Sequence, residues 1–211
     1  WSVLAQFGPL ENSFSPVAFA DDNQTLYVSS NIGRDNKAIY AYDADQRRLK
    51  ELVFAPHQVD ASGIIWSARK RSVAGVSYTD DRPRVHWLDN DYRRLQAAID
   101  STLTNTVNQL VSFNDDESMA IVLAGGDRLP GRFYLLNTQT LSMQSLGDKA
   151  AWIDPADMAE MQPISYPARD GLTIHGYLTL PKNSEGKNLP LVAYPHGGPW
   201  LRDTWGFDPE V

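Results

Sequence analysis

The 211 residues are enough for one or two domains with a substantial hydrophobic core. With 42% hydrophobic and 21% charged residues, the composition is that of a folded protein and excludes a largely disordered chain. The net charge of −7 argues against a general nucleic-acid binder. No apolar run approaches the roughly 20 residues that span a bilayer, so we expect no membrane partner.

The sequence contains no cysteine, which excludes a disulfide framework, a thiolate metal site and a cysteine nucleophile. The absence of cysteine fits a reducing cytoplasm and also a periplasm, so the compartment stays open between the two. The chain begins with Trp1 and shows no signal peptide. We therefore expect it to be a piece of a longer protein whose targeting segment is missing.

A repeat of 47 residues organises residues 1–146. Its first marker is an aromatic residue that precedes a polar turn and an apolar strand, found at Phe19, Trp66 and Phe113. A second strand ends at nearly constant offset, at Asp43, Asp89 and Asn137. A weaker last strand is predicted around Leu49, Leu95 and Leu141. We expect the three aromatic residues to occupy equivalent, mostly buried positions.

Each repeat predicts several short antiparallel strands, with almost no helical periodicity. Units of this length and content are typical of β-propeller blades. A β-sandwich would not need the matched spacing, so the pattern favours a propeller. A ring needs about four to eight blades to close, and three repeats are visible. We expect a partial propeller whose open sheet edges favour self-association.

The pattern changes after the third repeat. Residues 147–162 are predicted to form a connector, in which Asp154 and Pro155 begin a short helical turn. In residues 163–211, Asp170-Gly171 joins two strands as a tight hairpin. The apolar run "LPLVAY", 189–194, predicts a short buried strand, which moves the fold class from all-β toward α/β.

The stretch "YPHGGPW", 194–200, follows this apolar run directly. Adjacent glycines cost backbone entropy, so they indicate a loop with unusual dihedrals or close approach of a ligand. A simple Gly-Gly turn between strands is the structural alternative.

Two segments carry a resemblance to a known family: "ARDGLTIHGYLTLP" and "LPLVAYPHGGP". They resemble the opening of the catalytic domain in the prolyl oligopeptidase family of serine peptidases, most of all its acylaminoacyl-peptidase and dipeptidyl-peptidase-like bacterial members. Those proteins join an N-terminal β-propeller to a C-terminal α/β-hydrolase domain. The resemblance implies that residues 163–211 are the truncated start of such a domain. It also implies cleavage of short peptides through an acyl-enzyme, with the propeller restricting access, and no metal or organic cofactor.

The resemblance further implies an oxyanion loop at His196, Gly197 and Gly198. Gly198 would supply the backbone donor, Gly197 would shape the loop and His196 would brace it. Trp200 and Trp205 would either line the substrate pocket or pack within the loop.

No G-x-S-x-G motif occurs in the sequence. The family's order implies that the catalytic triad lies beyond Val211, so we expect this chain alone to be inactive. The other histidines, His57, His86 and His175, are interpreted as structural or solvated. Two alternatives stay open: a non-enzymatic propeller that binds a protein partner, and an esterase or lipase that shares the H-G-G loop.

Overall fold

The computed structural model describes residues 3–9, 11–198 and 201–211. The chain divides into two compact units. The first contains the residues up to Leu95 together with Asp115–Glu117, and the second contains Gln96–Asn114 and the residues from Ser118 onward. Within the described ranges, no helix has the length and apolar character needed to cross a membrane.

The first unit begins with a four-stranded antiparallel sheet. Its strands, in chain and spatial order, are β1 (Phe14–Phe19), β2 (Thr25–Ser30), β3 (Ala38–Asp43) and β4 (Arg48–Phe54). Side chains of β2 alternate between buried and partly exposed, as expected for a strand with one face in the core. Leu26 and Val28 on its buried face pack with Tyr42 of β3.

A three-stranded antiparallel sheet follows in the same unit. It contains β5 (Ala61–Ser67), β6 (Ser72–Thr79) and β7 (Pro83–Trp87). Ile39, Ala61 and Val76 form one buried cluster, so the first two sheets share a hydrophobic core. The helix α1 (Asn90–Thr102) comes directly after β7.

The second unit contains another four-stranded antiparallel sheet. Its strands are β8 (Val107–Phe113), β9 (Met119–Gly125), β10 (Arg132–Asn137) and β11 (Met143–Asp148). The buried side chains of β9 are Ala120, Val122 and Ala124. The buried Asn108 amide donates 2.9 Å hydrogen bonds to the Asp100 carboxylate and the Leu103 carbonyl, which joins β8 to the end of α1.

The short helical turn at Asp154-Pro155 and the hairpin form where the sequence predicts them. A short 3-10 helix spans Pro155–Asp157, and the Asp154 side chain accepts a hydrogen bond from the Ala156 N–H as its N-cap. The strands β12 (Met161–Pro167) and β13 (Thr173–Thr179) pair as an antiparallel hairpin. Gly171 has a φ of +88° in the turn, a conformation that favours glycine. The predicted hairpin at Asp170-Gly171 is confirmed, with a turn of residues 168–172.

The repeat alignment is correct in register but wrong in burial. The three aromatic residues lie at or next to the end of the first strand of each sheet, opposite the second residue of the following strand: Phe19 faces Leu26, Trp66 faces Val73 and Phe113 faces Ala120. Their equivalence is therefore confirmed. Phe19 is nevertheless 59% exposed, and Trp66 and Phe113 are partly exposed. Each lies beside a solvated turn in a strand with one hydrogen-bonded neighbour, which leaves the ring open on one side.

The predicted last strand is wrong in the second repeat. Leu95 lies in α1, and Leu141 lies in the turn before β11. The Asp89 carboxylate accepts hydrogen bonds from the N–H groups of Asp91 and Tyr92, which makes it the N-cap of α1. Tyr92, Leu95 and Ile99 have helical spacing, so they bury one side of a helix.

The predicted buried strand at 189–194 is not formed. These residues are irregular, and Leu191 and Val192 are 85% and 84% exposed. A central strand needs hydrogen-bonding neighbours, and no strand in the described part of the chain pairs with this run. The hydrolase start therefore remains a prediction, as does the division at residues 146 and 163.

Candidate active-site loop

The predicted oxyanion residues lie together in an exposed bend after β13. His196, Gly197 and Gly198 are all exposed. The His196 ring lies against the loop backbone, with Nδ1 2.7 Å from the Gly197 carbonyl oxygen. In the tautomer that carries a proton on Nδ1, the imidazole donates to this carbonyl. The bracing role that the resemblance implies for His196 stays a prediction.

The backbone at Gly197 is open to an approaching molecule. A β-carbon built on Gly197 would have no other heavy atom within 4 Å, and its φ lies outside the left-handed region. Glycine is therefore not required here by crowding or by strain in this conformation. What glycine does provide is backbone that a ligand reaches without meeting a side chain.

The residues on either side of the loop are held by contacts. The Tyr194 hydroxyl donates to the Glu210 carboxylate, and this hydrogen bond raises the pKa of Tyr194. Trp205 is 5% exposed, and its indole Nε1 donates a 2.8 Å hydrogen bond to the Met161 carbonyl. Both contacts lie within the second unit.

Of the two tryptophans with a predicted role near the loop, the structure describes one, Trp205. Trp205 is buried against Gly126 and Met161, and its two predicted roles, in a substrate pocket or in packing of the loop, stay predictions. Trp200 lies outside the described residues, and its assignment to a substrate pocket stays a prediction.

The remaining histidines lie in strands or between them. His86, in β7, stacks on Phe54 with ring centroids 4.0 Å apart and an interplanar angle of 6°. His175, in β13, pairs with Ser165 across the hairpin. His57 is exposed between β4 and β5.

Comparison with solved structures defines the fold. A puromycin-hydrolyzing peptidase of Mycobacterium tuberculosis aligns over 91% of this chain and 28% of its own, with a TM-score of 0.56 and 18% identity. A prolyl endopeptidase aligns over 85% of this chain and 26% of its own, with a TM-score of 0.55 and 11% identity. The chain is mainly β, and its antiparallel sheets match the propeller region of prolyl oligopeptidases.

Comparison with curated proteins gives the relatives in sequence. Dipeptidyl aminopeptidase BIII of Pseudoxanthomonas mexicana is 25% identical over 206 residues, which cover 92% of this chain. Dipeptidyl peptidase family member 6 of Caenorhabditis elegans is 18% identical and also covers 92% of this chain. The chain spans 29% of the length of each relative. No protein-family model matches the chain. The predicted resemblance to prolyl oligopeptidase family peptidases is confirmed by these relatives and structures.

Proposed function

We propose that this chain is part of a serine peptidase that cleaves short peptides. The observation that carries the proposal is the similarity to dipeptidyl aminopeptidase BIII along 92% of the chain. Propeller sheets precede this loop in the chain, as the family resemblance leads us to expect. In the proposed protein the propeller restricts the active site to short peptides.

The role of the loop is to stabilise the oxyanion. Peptide cleavage by a serine passes through a tetrahedral intermediate with negative charge on the former carbonyl oxygen, and fixed N–H donors stabilise that charge. We assign the donor to the Gly198 N–H. The exposed backbone at Gly197 and the contact between His196 and the Gly197 carbonyl support this assignment, because they describe an accessible and braced loop.

The nucleophile of the proposed peptidase is a serine outside these 211 residues. The sequence contains no G-x-S-x-G motif, so it offers no nucleophile elbow of the hydrolase type. The acyl-enzyme would form on that serine, and its histidine and acidic partners would follow it in the chain. The 211 residues alone are therefore inactive in this proposal, and no metal or organic cofactor takes part.

The test uses the complete open reading frame that encodes this sequence. We expect the complete protein to react with a fluorophosphonate probe and to cleave dipeptide amides faster than simple esters. The 211-residue chain, made in parallel, should do neither. Faster turnover of esters would favour an esterase or lipase. A complete protein that neither labels nor turns over either substrate would contradict the proposal and favour a binding module.

A further inference from the structure

Trp205 is the one buried residue in an otherwise exposed stretch of the chain. The residues at 201–204 and 208–211 are exposed, whereas Trp205 is 5% exposed. By contrast, Trp152 in the connector is 82% exposed. A buried indole is stable when its N–H finds an acceptor, and Trp205 meets this requirement through the Met161 carbonyl.

The surface that receives Trp205 is the loop of residues 126–131, between β9 and β10. A β-carbon on Gly126 would lie 3.3 Å from Cη2 of the indole, so glycine allows the ring to approach the backbone closely. The neighbouring Asp127 carboxylate accepts a 2.9 Å hydrogen bond from the Met161 N–H. The Met161 backbone thus donates its N–H to the 126–131 loop and accepts at its carbonyl from Trp205. These two hydrogen bonds connect the 126–131 loop, the start of β12 and the segment around Trp205.

These contacts fix the chain on the downstream side of the H-G-G residues. On the upstream side, Tyr194 is bonded to Glu210. Residues 196–198 therefore lie between two attached residues, Tyr194 and Trp205. Trp205 attaches this stretch to the β8–β11 sheet through the 126–131 loop.

We propose that Trp205 is a positioning residue for the oxyanion loop, acting through the 126–131 loop and Met161. This inference rests on the proposed peptidase function. An oxyanion donor is effective only when its position is held, and displacement by about 1 Å is enough to cost about 100-fold in rate. Trp205 supplies that restraint from outside the loop and does not itself contact the reacting atoms.

The attachment is tested first without reference to activity. In the complete protein, trypsin is used to cleave after Arg202, which is exposed three residues before Trp205. Lys187 lies in the exposed loop after β13 and serves as the internal reference. We expect Trp205→Ala to raise the rate of cleavage after Arg202 by about tenfold, relative to that after Lys187, because cleavage follows local opening.

Trp152→Ala is the matched control and should leave the ratio of the two cleavage rates unchanged, since its ring is exposed. An unchanged ratio in Trp205→Ala would overturn the attachment. Gly126→Val is an independent variant that keeps tryptophan at position 205 and changes the surface against which the ring packs. Its side chain displaces the indole, and we expect it to raise the same ratio.

The second test measures kcat and KM per active site titrated with a fluorophosphonate. We expect Trp205→Ala to lower kcat by about tenfold or more with little change in KM, because the loss concerns the transition state. Trp205→Phe retains the ring without the N–H and should fall between Ala and wild type. A merely structural role would lower the number of titratable sites and leave kcat per site unchanged, which would overturn the inference.

The two tests separate this inference from the function on which it rests. If the complete wild-type protein is inactive, the peptidase proposal fails and the positioning role fails with it, while trypsin still decides the attachment. If the wild type is active and Trp205→Ala keeps its kcat, the function stands and the positioning role is wrong.

Discussion

Glu117, in the turn between β8 and β9, accepts a 2.7 Å hydrogen bond from the Ser67 hydroxyl at the end of β5. The Arg69 N–H and Nε also donate to this carboxylate, each at 3.2 Å. The Glu117 side chain is 6% exposed. A buried carboxylate is stable only when such donors replace water, so these hydrogen bonds stabilise the Glu117 side chain within the first unit.

We expect Glu117→Gln to lower the free energy of unfolding at neutral pH by about 2 kcal/mol, the scale of hydrogen bonds to a buried charge. Urea denaturation of the 211-residue chain measures this change. Asp115→Asn, an exposed substitution in the same turn, is the matched control and should have little effect. Equal stability of Glu117→Gln and wild type would contradict the account.

The contribution of Glu117 should depend on pH. Burial by itself raises the pKa of Glu117, but hydrogen bonds from Ser67, Arg69 and Tyr92 outweigh burial and hold it below its ordinary value. A lowered folded pKa means that the contribution is complete above the unfolded pKa and is lost as pH falls through the folded pKa. The stability difference between wild type and Glu117→Gln should therefore shrink on acidification, and a constant difference would contradict this prediction.

The N-cap of α1 gives the next prediction. Asp89→Ala removes the acceptor for the N–H groups of Asp91 and Tyr92, so we expect a loss of about 1 kcal/mol in unfolding free energy. Asp89→Asn retains an N-capping oxygen and should recover most of the loss. Urea denaturation followed by circular dichroism measures both variants. An Asp89→Ala variant as stable as wild type would contradict the assigned cap.

Two glycines of the β5–β7 sheet should differ in how much stability the protein loses when each is replaced by alanine. A β-carbon on Gly75 would lie 2.8 Å from Cε3 of Trp87 and 2.9 Å from Cγ1 of Val85. On Gly63 the nearest atom would be the Ser77 hydroxyl at 3.8 Å, an ordinary contact. We expect Gly75→Ala to cost about 1–3 kcal/mol in thermal or urea unfolding and Gly63→Ala to cost far less. Similar losses in the two variants would count against the packing of Trp87.

The 47-residue repeat is predictable from the sequence because the same strand pairing recurs in each sheet at that spacing. The residues opposite the three aromatic markers, Leu26, Val73 and Ala120, have the same 47-residue spacing. The pairing of one aromatic with the second residue of the next strand is a local relationship, and each repeat preserves it. Burial depends on neighbours from elsewhere in the fold, which explains why the exposure of Phe19 was not predictable.

The helix α1 was missed although its signals are present. Asp89 has the residue type of an N-cap, and Tyr92, Leu95 and Ile99 have helical spacing. The 47-residue repeat predicts a strand at Leu95, whereas the local spacing of apolar residues indicates a helix there. The H-G-G loop was located by its residues alone. Its attachment through Trp205 was not, because the contact to Met161 joins residues 44 positions apart.

Exposed sheet edges lead to a prediction about assembly. The strand β7 is an edge of its sheet and carries backbone groups without a strand partner among the described residues. Such edges promote pairing with other chains, so we expect the 211-residue chain to self-associate when it is made alone. Sedimentation velocity measures this. A monodisperse monomer across a range of concentrations would contradict it.

The central claim is that the H-G-G loop supplies an oxyanion donor, and the kinetics of Gly198→Pro in the complete protein test it most directly. Proline removes the N–H of residue 198, so kcat should fall by about 100-fold or more while KM changes little. Gly63→Ala, a substitution in β5 whose added methyl group makes only an ordinary contact, is the control and should retain the wild-type kcat. Both variants are first shown to be folded by thermal unfolding. A folded Gly198→Pro variant with the wild-type kcat would contradict the assignment of this loop.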